Sequence, residues 1–296
     1  MVTVLCWVPM LPVAKRTLEH IDAFSLASLR YAIGICLLVG LLVASEGWRA
    51  LRYDGRALPA TLLGLFGITG FNLFVWLGML YTLPEHASII LQLQVPLIAI
   101  YAWISRGQRP AAFTLGCIVL ALAGALAVVS KGDPIGALAG LSRGGALLGD
   151  FLVFMGALSW VIYSVAAGVF AGWSPLRITV LTCIPGTLGI FLANLTAVAM
   201  GWATLPSVEA VRTVAWHLAY FSICSVVLGV LGFNAAARHI GPLNAMLMLN
   251  LVPVGVFGIE AALGRSFAPI ELAGAGLVVG TLVANNLYLR GARTRR

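Results

Sequence analysis

Charge is what this chain lacks. Only 9% of its 296 residues are charged and 61% are hydrophobic, whereas a soluble domain carries about 25% charged residues. Such a composition cannot cover a water-facing surface, so lipid must be the solvent for most of it. Lysine is nearly absent, with only Lys15 and Lys131. The five cysteines (Cys6, Cys36, Cys117, Cys183 and Cys224) lie singly in different apolar runs. None has CxxC or metal-ligand spacing, so they read as small packing residues. Nothing matches the Walker A pattern, HExxH or GxSxG, and no cofactor or metal is implied. The histidines His86, His217 and His239 fall at the ends of runs.

What is present is a succession of apolar stretches. A hydrocarbon core about 30 Å thick needs roughly 20 helical residues. Cutting at charges, prolines and turn residues predicts spans at 2–14, 24–45, 58–81, 87–105, 111–130, 146–169, 175–200, 214–237, 243–263 and 269–289. The runs are continuously apolar rather than alternating, which selects helices over a barrel. The fold class expected is an all-α polytopic membrane protein of ten transmembrane helices. The first span is short, carries Pro9 and Pro12, and lacks the features of a signal peptide. It reads as a helix whose natural start lies upstream. With the amino terminus inside, inner loops and tail hold eleven Lys/Arg against six outside. That bias predicts both termini in the cytoplasm. The net charge of +8 then serves topology and inner-leaflet adhesion rather than nucleic-acid binding.

The chain also looks like one five-helix unit written twice, over 1–130 and 146–290, joined by a loop at 131–145. Pro96 and Gly107 around the fourth span have the same spacing as Pro253 and Gly264 around the ninth. Cys6-Trp7 recurs as Ser159-Trp160, and Arg30 recurs near the start of the seventh span as Arg177. An odd number of spans per unit forces the copies into opposite orientations, a recurring plan of secondary transporters.

At these residues the chain resembles the drug/metabolite transporter superfamily, specifically permeases with two EamA domains. The stretches that carry the likeness are Gly149-Asp150 through Ser159-Trp160 and Tyr163, the Gly-Pro-Leu-Asn-Ala run at 241–245 leading to Pro253, and the last helix with Gly274, Gly276 and Gly280. The resemblance implies an inner-membrane exporter or facilitator of amino acids and other metabolites. Two departures stand out: the short amino terminus, and Gln108 and Ser266 where an acidic residue is common before the fifth and tenth helices.

A polar group at membrane depth needs a partner or a watery cavity. Asn72 and Trp76 share one helix face. Gln92 and Gln94 approach Pro96, and a proline frees a carbonyl one turn back. Asn244 and Asn250 precede Pro253, Trp160 and Tyr163 share a face of the sixth span, and Asn234 lies in the eighth. These side chains are candidates to line a central cavity, with amides for a polar solute and aromatic walls for its apolar part. The bland alternative is that the amides glue helices together and the aromatics fill the bundle. Pro96, Pro253, Arg30 and Arg177 are candidates for kinks or gating, with anion binding a minority role for the arginines. Glu260 is a candidate coupling carboxylate that could instead pair with Arg265. Asp150 reads as a carboxylate complementing the sixth helix dipole. Gly276 and Gly280, with Ala121 and Ala125, permit close helix approach, either inside the bundle or in a homodimer through the fifth and tenth helices.

The expected function is a secondary transporter moving a small metabolite by alternating access, an amino-acid-like or related polar or aromatic solute, in the export direction. A phosphorylated-sugar or nucleotide-sugar antiporter is the alternative, disfavoured because such anions want Lys or Arg deep in the cavity. From another class, an intramembrane enzyme would need a cluster of His, Asp, Ser or Cys at membrane depth. Short loops leave little room for a sensor domain.

Overall fold

The structure is a computed structural model, and it describes residues 2–106, 111–130, 133, 145–241, 245, 248–249 and 251–294. Asn244 and Asn250 lie outside the described residues. Five helices are long and apolar enough to cross a membrane by length and composition: Ala23–Glu46, Ala57–Met79, Ala146–Phe170, Pro175–Ala199 and Ala215–Ile240. They are the second, third, sixth, seventh and eighth spans. The first is two short helices, Val2–Trp7 and Met10–Thr17, and the fourth is Pro84–Leu91 followed by Gln94–Arg106. The fifth is Ala112–Ser130, the ninth includes Leu251–Ala262, and the tenth is Pro269–Thr294. No strand occurs among the described residues.

Local chemistry sets these ends and breaks. Asp22 caps the second span, its Oδ1 accepting from the Phe24 and Ser25 amides at 2.9 Å each, and Ser174 caps the seventh just before Pro175. Such caps satisfy amide donors that the first helical turn leaves orphaned. Gly47 and Gly241 close the second and eighth spans at φ 79° and 84°, the left-handed conformation that glycine adopts without penalty. The break in the fourth span falls at Gln92 and Leu93, one turn before Pro96, which has no N–H to offer the Gln92 carbonyl. Wide π-turns interrupt the third span at Gly64–Gly70 and the eighth at Phe221–Val230, matching places in the two repeats.

The packing obeys the repeat. The sixth span lies against the third as the first lies against the eighth, and the seventh meets the third as the second meets the eighth. The sixth also touches the fourth as the first touches the ninth. Two pairs map onto themselves, second with seventh and fifth with tenth. Glycines allow the closest contacts. A Cβ on Gly78 would sit 2.7 Å from the Gly149 carbonyl oxygen and the reverse holds at 2.7 Å; Gly124 and Gly274 repeat this relation, again at 2.7 Å each way.

Here the structure differs from the sequence reading in detail. Gly276 and Gly280 have nothing within 4 Å of an added Cβ, because a helix turns about 100° per residue and carries them to another face than Gly274. The fifth and tenth helices pack on each other through Gly124 and Gly274 inside one chain. Arg30 and Arg177 are also not structural equivalents. Counted from the caps, Arg30 lies eight residues past Asp22, whereas Arg177 lies three past Ser174. The residue eight past Ser174 is Thr182.

A central cavity and its aromatic partition

A narrow cavity lies in the middle of the bundle, lined by residues of both repeats. The first span gives Trp7, Met10 and Leu11; the second gives Arg30 and Tyr31; the third gives Phe71. Gln92 and Gln94 reach it from the broken stretch of the fourth span, Trp160 from the sixth, and Ser225 and Val230 from the π-turn of the eighth. The repeat-related tryptophans meet here. Trp7 and Trp160 have ring centroids 5.5 Å apart, edge to face. Phe71 lies 5.2 Å from Trp160 and Phe233 lies 6.0 Å from Trp7, the same pairing seen from each repeat.

Phe233 also packs 5.2 Å from Trp160 and faces a second, wider space. That space lies between the sixth, seventh and eighth spans, with Gly168, Ala171 and Gly172 exposed at its rim. Trp7, Trp160 and Phe233 thus form a partition with one cavity on each side. Asn234 belongs to the second cavity, where its amide donates to the Tyr163 hydroxyl at 2.8 Å and the Thr179 hydroxyl at 2.7 Å. Tyr163 in turn lies 3.3 Å from the Thr182 hydroxyl and stacks on Trp160 at 5.0 Å. This buried network holds the partition in place.

Of the residues singled out in the sequence, Gln92, Gln94, Trp160 and Arg30 line the central cavity and Asn234 lines the second. Tyr163 supports the partition from behind. Asn72 and Trp76 are fully buried beside the cavity: Asn72 donates to the Ile68 carbonyl at 2.7 Å and accepts from the Trp76 indole at 3.0 Å. Pro96 and Pro253 are buried near the starts of the helices they disrupt. Arg177 lies at the bundle edge, paired to Asp54 at 2.6 Å. Glu260 is half-buried, and Arg265 turns to Glu271 at 3.4 Å instead of to the Glu260 carboxylate.

Arg30 is the most unusual group. It is 2% exposed, and burying a cation at the centre of a membrane helix costs about 3 kcal/mol on insertion scales. Rings surround its guanidinium: Tyr31 at 5.2 Å, Trp76 at 5.0 Å and Phe221 at 5.4 Å. Each desolvated cation–π contact returns roughly 1–2 kcal/mol, and the Tyr31 hydroxyl, which also meets Asn72, adds a polar contact. Together these offset the burial.

A second polar cluster lies at the other end of the sixth span from the second cavity. Asp150 accepts a short hydrogen bond from the Thr82 hydroxyl. His86 stands between two carboxylates, 3.9 Å from Asp150 and 3.4 Å from Glu271. Lys15 donates to the Met79 and Thr82 carbonyls at 2.8 and 2.9 Å, and Thr17 meets His217 at 3.1 Å. Asp150 is therefore a buried cross-link between repeats rather than a solvated partner of the helix dipole, since it lies on the face the sixth span turns to the third and fourth. This cluster escapes a sequence reading because its contacts join residues 64 to 200 apart in sequence, Lys15 to Met79 and Thr17 to His217 at the extremes. The Trp7–Trp160 contact could have been found, since the repeat itself pairs those two residues.

Comparison with known proteins agrees with this architecture. The chain is 29% identical over 295 residues to the uncharacterized transporter YrdR of Bacillus subtilis (strain 168), covering 98% of this chain and 90% of that one. It is 28% identical over 278 residues to the uncharacterized transporter YyaM of the same organism, covering 93% and 88%. A crystal structure of a protein at 19% identity superposes with a TM-score of 0.71 over 97% of this chain and 96% of the other, a likeness of fold. The EamA-like transporter family matches residues 1–130 and 147–287. With both five-helix repeats matched, the chain is a multi-pass membrane transporter and belongs to the EamA-like transporter family.

Proposed function

We propose that this protein is a secondary transporter that moves a small metabolite by alternating access, with the central cavity as its solute site and the Trp7–Trp160–Phe233 layer as a gate. The observation that carries this reading is the pair of cavities on the two faces of one aromatic partition, in a bundle whose repeats are inverted. Inversion gives each repeat the same choice of two packings, so swapping them exchanges which side is open. The second cavity serves as the vestibule of the open side, and the His86 cluster seals the opposite side. By the Lys/Arg bias the vestibule faces the cytoplasm, the membrane is the inner (plasma) membrane, and the state described is poised to load a solute for export. Aromatic walls with two glutamine amides suit a solute with an apolar or aromatic body and a polar head.

Single cysteines test the gate in a background freed of the five native thiols. Cysteine at Ala237, in the vestibule, should react with an impermeant maleimide from the cytoplasmic side, and cysteine at Gln92 should react at least tenfold more slowly. Exporting conditions should shift Gln92 reactivity toward the periplasmic side. Equal labelling of both positions from both sides, with or without solute, would sink the alternating-access reading.

A further inference from the structure

Among the described residues lining the central cavity, Arg30 is the one charged group. Its Nε and Nη1 have no hydrogen-bond partner, and no described carboxylate pairs with it. The rings of Tyr31, Trp76 and Phe221 hold its plane in place but bring no negative charge. In the same cavity the buried indole N–H of Trp160 also has no acceptor. Two buried donors without acceptors, one of them cationic, face a common space. Buried donors left so are rare in native proteins and point to an absent partner.

We infer that the central cavity is a carboxylate-binding site: Arg30 receives the carboxylate of a small organic acid whose apolar body lies against Trp7, Phe71 and Trp160. This deepens the solute-site reading above and rests on it. The guanidinium offers a carboxylate charge-assisted N–H donors at its unpartnered Nε and Nη1, and the Trp160 indole supplies a further donor. A single cation fits a monoanion; a phosphate dianion or a nucleotide would want several. The cavity's lining also holds the neutral polar side chains of Ser88, Gln92, Gln94 and Ser225, which suit a small polar substituent on the acid. The asymmetry of the repeats supports the same assignment. Thr182 stands at the cap-matched position of the second repeat, hydrogen-bonded within the protein to the Ile178 carbonyl at 2.7 Å. The fold does not require an arginine there.

The test uses the full-length purified protein and its own fluorescence, because Trp7 and Trp160 line the site. Phenylacetate is titrated against its neutral isostere phenylacetamide, with phenylalanine and inorganic phosphate as competitors. Phenylacetate should bind at least tenfold tighter than phenylacetamide. Arg30→Met should bring that ratio near one, Arg30→Lys should recover part of it, and Trp160→Phe should lower carboxylate affinity several-fold. A merely structural Arg30 would alter stability without moving the ratio. Equal affinity for the two probes, no binding of either, or a ratio unchanged in a folded Arg30→Met protein overturns the inference. Should Arg30→Met not fold, the wild-type ratio and Arg30→Lys decide it alone. Stronger competition by phosphate than by phenylacetate replaces the carboxylate with a phosphate ester. The cysteine-labelling experiment needs no knowledge of the anion. Success there with a probe ratio of one would remove the carboxylate and leave the transporter reading standing.

Discussion

The two ends of the bundle hold the repeats together by opposite means. At the His86 end, Thr82, His86, Asp150 and Glu271 are all buried, and their contacts run from the first repeat to the second. At the arginine end the cross-links are exposed: Arg177 to Asp54 at 2.6 Å with Asp54 53% exposed, and Arg56 to the Val169 and Ala171 carbonyls at 3.2 and 3.3 Å. Removing one partner of a buried polar contact is costly, since it strands the other away from water. An exposed pair contributes at most about 1 kcal/mol. The difference separates the ends: the second cavity opens beside the weak links, and it is there that the proposed gating calls for movement.

That contrast can be broken from either side. Asp150→Ala should have the largest effect, about 3–5 kcal/mol, because it strands the buried Thr82 hydroxyl without its acceptor and removes one of the two carboxylates that flank His86; the melting temperature in detergent reads it. Phe233→Ala removes the partition's ring from between the cavities. It should destabilise by about 3 kcal/mol and raise maleimide labelling at Gln92 from the vestibule side several-fold. Gly124→Ala drives a Cβ to 2.7 Å from the Gly274 carbonyl oxygen and should cost about 1–3 kcal/mol. It should also leave the labelling contrast unchanged, since the fifth and tenth helices stand outside the cavity lining. Asp54→Asn should be smallest, under about 1 kcal/mol and smaller still in high salt. Comparable losses for Asp54→Asn and Asp150→Ala would erase the distinction between the ends.

Much of this was legible in order along the chain. Span positions follow from apolar length, and the repeat follows from Pro96 with Pro253 and Trp7 with Trp160. Gln92 and Gln94 reach the cavity for the reason read from the sequence: a proline one turn on breaks the helix beside them. Asn72 and Trp76 show where such reading stops. They share a face as spacing requires, yet satisfy each other at 3.0 Å, and spacing alone cannot tell a pair that lines a cavity from one that closes on itself. Arg30 and Arg177 both stand near helix starts in the sequence, but the caps set the register and place Arg30 two turns inside.

By itself the sequence determined that this chain lives in lipid, folds as helices and carries a doubled five-helix plan. Those outcomes depend on composition and period, which are local properties summed along the chain. Only the tertiary structure decided which polar groups are spent on one another and which face open space. Asp150 found Thr82 and His86, Asn234 found Tyr163 and Thr179, and Arg30 was left among rings beside a cavity. Hydrogen bonds act over about 3 Å, and which groups come within that distance is fixed by how the helices pack, not by where they stand in the chain.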